Sequence, residues 1–166
     1  MKEQWEKLIT VLEEMLALYR AILALSQEKR TVLVAADGQR LEQITKQEEL
    51  LILQAGKLDN QRSDIVKEIG NVLGLTPSEI TLENISKHAD DNTASRLKRI
   101  NADFEKVLGE LAPLNKVNTQ LIQHALNFVN YNINILAQNQ SGPTYASKGR
   151  QSDKPAPSRA LFDHKV

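Results

Sequence analysis

The sequence predicts an all-α protein: an elongated antiparallel bundle of three long helices, coiled-coil-like, with a short connecting helix and a C-terminal tail. Three observations predict it. Apolar residues recur at alternating steps of three and four over three long stretches, the mark of helices that each bury one seam. Breaks are few, the clearest being Asp37-Gly38 and the Gly74 to Pro77 region. Composition is 41% hydrophobic and 25% charged with only 4% aromatic, so the core must be aliphatic and of a size that suits one domain.

The first helix is expected over residues 3–35. Trp5, Leu8, Leu12, Met15, Tyr19 and Ile22 keep the rhythm, and Ile9, Leu16 and Leu23 widen it. So broad a stripe contacts more than one neighbour. Asp37-Gly38 ends it, with Gly38 suited to a left-handed C-terminal cap. The short break returns the next helix antiparallel.

The second helix is expected over 39–73, on a seam of Leu41, Ile44, Glu48, Leu51, Ala55, Leu58, Arg62, Ile65, Ile69 and Val72. Glu48 and Arg62 interrupt that seam and are read as snorkelling to the bundle edge. Thr76-Pro77-Ser78-Glu79 reads as a helix start, with Thr76 as N-cap and Glu79 closing a capping box. One or two short helices over 77–88 should lead to Asp90 and Asp91, whose charges suit the start of the third long helix.

That third helix, over about 94–138, carries Leu97, Ile100, Phe104, Val107, Leu111, Leu114, Asn118, Leu121, Ala125, Phe128, Asn132 and Ile135 on one seam. It would be about 65 Å long. Pro113 removes a backbone hydrogen bond, so a kink is expected between Gly109 and Pro113, with the seam holding its phase across it. Asn118 and Asn132 are polar on the seam, and either fix the register of a bound helix or bond within the bundle. Residues 1–140 thus form a helical domain. Residues 141–166 form a flexible tail rich in Ser, Pro, Lys and Arg, with a net charge of +3 against −3 for the helical part. Tyr145 and Leu161-Phe162 are its apolar islands.

Much chemistry is excluded. Net charge is zero, so there is no general pull on nucleic acid or acidic lipid. With no cysteine, disulfides and thiolate zinc sites are ruled out. No apolar run is long enough for a membrane span and the N-terminus lacks a signal peptide, so a cytoplasmic location is the default. His88, His124 and His164 have no partner at helical metal-ligand spacing, and neither a phosphate loop nor a nucleophile elbow occurs. No enzymatic activity and no cofactor are expected. The residues point to a helical protein built to bind protein.

Three features together resemble the FlgN family of flagellar type III export chaperones. They are the order of long helix, Asp37-Gly38 turn, long helix, connector and third long helix; the segment Leu114-Asn115-Lys116-Val117-Asn118-Thr119-Gln120-Leu121-Ile122, similar to the family's Asn-x-x-Asn-x-x-Leu-Leu/Ile; and Tyr145-Ala146-Ser147-Lys148-Gly149 with the ending Leu161-Phe162-Asp163-His164-Lys165-Val166. The resemblance implies a cytoplasmic chaperone of the hook-filament junction proteins, hook-associated proteins 1 and 3. It would bind their terminal helical segments, block premature assembly and deliver them to the cytoplasmic domain of the export gate. On this reading the client meets Asn115, Asn118, Leu121, Ile122, Ala125, Phe128 and Val129, with Leu161 and Phe162, and the gate meets Tyr145 and Gly149. Monomer and homodimer remain open. The alternatives are a structural homo-oligomeric coiled coil or adaptor without a secreted client, and a helical enzyme or ligand carrier with a closed cavity.

Overall fold

A computed structural model describes residues 1–140, with side chains described to residue 138. The described chain is helical: α1 is Lys2–Ala35, α2 is Gly38–Val72, α3 is Leu82–Ser86 and α4 is Asp91–Gln140. It divides into two units, Met1–Phe128 and a second beginning at Val129. Tyr145, Gly149, Leu161 and Phe162, with the expected flexible tail as a whole, lie outside the described residues.

In the first unit, α1 and α2 form an antiparallel hairpin. Glu28 pairs with Arg40 close to the turn and Lys29 with Glu48 further from it. The turn corrects one expectation. Ala36, not Gly38, takes the left-handed conformation, at φ 54°. Its amide and that of Asp37 return to the carbonyls of Leu33 and Val32 and close the last turn of α1. Gly38 instead opens α2, because the Asp37 carboxylate is needed as N-cap and accepts from the Arg40 amide. The two-residue link leaves no other place for the reversal.

α2 ends as the sequence favours. Gly74, at φ 72°, lets its amide reach the Asn71 carbonyl and lets the Leu75 amide reach that of Gly70. Gly70 is required for another reason. A Cβ built there would lie 2.6 Å from Ile80 Cγ1, so the connector packs directly on the α2 backbone.

The connector differs from the expected helix start at Thr76. The Glu79 carboxylate accepts from both the amide and the hydroxyl of Thr76, so the box closes, but over an isolated turn. The helix begins after Thr81, whose backbone is extended and whose side-chain oxygen accepts from the Asn84 amide. Threonine at either position satisfies the N-cap chemistry, and the docking of Ile80 on Gly70 goes with the later start. Asp90 then accepts from both the amide and the hydroxyl of Thr93 at the start of α4, the role its charge suggested. These bonds hold the Asp90 carboxyl below the usual carboxylate range, and those from Thr76 do the same for Glu79.

α4 runs unbroken through Pro113. Within the first unit it lies parallel to α1. Arg96 donates to Glu6, Arg20 to Asp103, and Ser26 to Asn115, at separations of 90, 83 and 89 residues along the chain. The main core gathers Trp5, Leu8, Ile9, Leu12 and Met15 from α1, Val66 and Ile69 from α2, Ile85 from α3 and Leu97 and Ile100 from α4. Tyr19 and Phe104 meet edge to face at its border, with ring centroids 5.7 Å apart. A second, smaller cluster joins Leu25, Val32 and Ile44 near the hairpin turn. The two interruptions of the α2 seam are settled locally: Glu48 accepts from Lys29 across the hairpin in a largely shielded pair, and Arg62 forks onto Asp59 one turn back.

Candidate binding surface

The seam of α4 changes character along its length. Leu97, Ile100, Val107 and Leu111 are buried. Asn118 follows on the same seam and is 3% exposed. Its Nδ2 donates to the Ser26 carbonyl at 2.9 Å, and the Ser26 hydroxyl donates to Asn115 Oδ1 at 3.1 Å. Ser26, itself buried, supplies small volume and a hydroxyl where α1 and α4 meet. Of the two roles open to Asn118, bonding within the bundle is therefore occupied, and Asn115 is tied to the same α1 residue.

Leu121 and Ile122 are half-buried, and Ala125 is exposed. Phe128, the last residue of the first unit, is 68% exposed. The reason is geometric. With α1 partners about 90 residues back, α4 at residue 125 has drawn level with Ala35, where α1 ends. In the second unit Val129, Tyr131, Ile133 and Leu136 are each more than half exposed. The expected site residues thus separate into two sets. Asn115, Asn118 and Ile122 are brought together on a cleft beside α1 and α2, whereas Phe128 and Val129 present apolar area to solvent.

Sequence reasoning missed Leu126, Tyr131, Ile133 and Leu136, all exposed and all off the seam. Apolar residues on more than one face of a helix were the available signal. It also missed Leu50, Ile52 and Leu53 on α2, each about 60% exposed. Among the described residues, no group of three or more His, Asp or Glu side chains is placed to hold a metal ion, and no helix is long and apolar enough to cross a membrane.

Among the described residues the chain is made of helices, the longest of which carries apolar residues exposed to solvent. The comparison with known proteins is narrower. Residues 1–153 match the FlgN protein family, and the chain belongs to that family of flagellar export chaperones. It is also similar to the uncharacterized protein YvyG of Bacillus subtilis (strain 168), 26% identical over 160 residues that cover 96% of this chain and 97% of the relative. No solved structure matches.

Proposed function

We propose that this chain is the cytoplasmic chaperone of hook-associated proteins 1 and 3, holding their terminal helical segments until they reach the export gate. The observation that carries this reading is the exposed apolar area of α4 between Leu126 and Leu136 in a member of an export chaperone family. An amphipathic client helix buries such residues as an added helix, at ~25 cal/mol for each Å² of apolar surface removed from water. Leu121, Ile122, Ala125, Phe128 and Val129 supply the contact on α4, and Leu161 and Phe162 extend it from the basic C-terminal segment. Tyr145 and Gly149 dock the cytoplasmic domain of the gate, the aromatic ring burying a large area for little rotamer entropy.

The test is isothermal titration of the full chain with a terminal helical fragment of hook-associated protein 3. Binding that weakens when Leu121 and Phe128 become polar, or when residues 141–166 are removed, supports the assignment. Affinity untouched by both changes places the client elsewhere. For the gate, Tyr145→Ala should weaken capture of the client-loaded chaperone by the gate's cytoplasmic domain and leave client affinity unchanged. A stable homo-oligomer that ignores the fragment would return the chain to the structural alternative.

A further inference from the structure

The α1–α2 hairpin has two faces, and α4 meets one of them. On that face Ile22 and Ser26 of α1 and Ile52 of α2 share a cleft with Asn115 and Ile122 of α4. On the other face Ala21, Ala24, Gln47 and Leu50 line a groove of ≈ 500 Å³ that no α4 residue enters. The same helical rhythm carries it past exposed Ala17 and half-buried Leu18 to a second stretch of ≈ 690 Å³ along Lys7, Glu14, Gln61 and Asp64, again without α4. From Glu28 back to Glu3 the groove follows α1 for about 38 Å. A channel of that length between two antiparallel helices is shaped for a third helix, which is what α4 supplies on the opposite face.

Its two ends differ in chemistry. Toward the turn, Leu25 is a buried floor, Leu51 is half-buried and Leu50 is a wall 61% exposed, while Ala21 and Ala24 leave room for a close approach. The charge there, Glu28, is answered by Arg40. Toward the open end the floor is half-buried Val11 and Ile65, and the walls are acidic. Glu6 is taken by Arg96 of α4, and Lys7 is matched by Glu3, with Glu68 adding to the field on it. Asp64 has only a loose contact with Lys67 at 3.6 Å, and among the described residues Glu14 has no ion pair. We infer that this groove is a second protein-binding surface, for an amphipathic helix of a partner protein that is apolar along one half and carries lysine or arginine along the other. Cations sit best in the last turns of a helix, so the partner's C-terminal end lies toward Glu3 and Asp64. Nucleic acid and acidic lipid are repelled at that end. A second copy of the same face fits poorly: laid antiparallel it sets apolar on charged, and laid parallel it sets acid on acid.

The inference uses no α4 residue, so it holds or fails apart from the client reading. The probe is a synthetic amphipathic helix of about 25 residues, with leucines on the seam of its first half and lysines on the seam of its second. It is titrated calorimetrically into the full chain beside a peptide with glutamine in place of the lysines. Ala21→Gln with Ala24→Gln fills the apolar end without adding charge. Both positions are exposed and glutamine is a good helix former, so circular dichroism and melting temperature should not change. This variant should bind both peptides about tenfold more weakly. Glu14→Lys with Asp64→Lys should weaken the lysine peptide about tenfold and leave the glutamine peptide unchanged, and added salt should shrink the difference. Affinity that ignores Ala21→Gln with Ala24→Gln, or no binding of the lysine peptide, overturns the site. Equal response of the two peptides to the charge reversal overturns the partner's chemistry. Self-association of the unsubstituted chain in sedimentation that the alanine changes abolish would give the groove to a second copy. Peptide binding seen only after removal of residues 141–166 would give it to this chain's own C-terminal segment. Either result overturns the proposal.

Discussion

At the scale of single residues, the chain places strain and charge where its helices begin and end. Ala36 occupies the left-handed region at a cost of about 1 kcal/mol that glycine would not bear. Ala36→Gly should therefore raise stability by about 0.5–1 kcal/mol in urea unfolding, a gain reduced by glycine's looser unfolded state. A loss would mean that the methyl group makes a compensating contact. Asp90 gives a pH dependence of definite sign. Its folded pKa lies below the ordinary 3.8, so the stabilisation is present above that value and is lost as the pH falls through the depressed one. Asp90→Asn should lower stability at pH 7 and flatten the acid limb, read as melting temperature against pH from 7 to 2. An unchanged acid limb would take Asp90 out of the account.

At the scale of elements, the helices were legible because their periodicity is long and their buried sides continuous. α1 and α2 begin and end within a residue or so of the expected positions. α4 starts three residues early because Asp91 already lies inside it, capped through Asp90 and Thr93. Local chemistry that two neighbours could supply was not legible. Asp37-Gly38 offered a glycine for the left-handed position, and the aspartate's capping requirement moved that position to Ala36. Thr76 read as the N-cap, but the helix starts after Thr81, and tertiary docking of Ile80 accompanies the later start. That docking is testable: Gly70→Ala forces a Cβ against three carbons of Ile80, the farthest 2.9 Å away, and should cost about 1–3 kcal/mol. In a double-mutant cycle with Ile80→Ala much of that cost should disappear. Full additivity would show that the strain is relieved elsewhere.

At the scale of the whole molecule, the buried core and the proposed binding surface fall on different residues. Every α4 residue in the main core lies at or before Ile100, and the buried seam reaches only to Asn118. A chain ending at Phe128 should thus keep the melting temperature of the first unit within a few degrees while losing affinity for the client fragment. A collapse of the melting transition would mean that residues beyond 128 support the core. The proposed binding half was only partly legible in the sequence, because a heptad stripe does not say where its partner helix stops. Asn118 looked the same on paper as Asn132, and nothing in the stripe showed that Asn118 would be buried against Ser26 of α1. The parallel pairing of α1 with α4 also bears on synthesis. The α1–α2 hairpin can close as soon as it is made, but the face of α1 that meets α4 must wait for residues about 90 positions later. At ribosomal rates of ~5–20 residues per second that is a delay of roughly 5–20 s. In the last part of that delay, after α2 is made and before Leu97 and Ile100 follow, Leu8, Leu12 and Met15 lack their α4 cover, so the nascent hairpin is for that time itself a sticky, client-like helix pair.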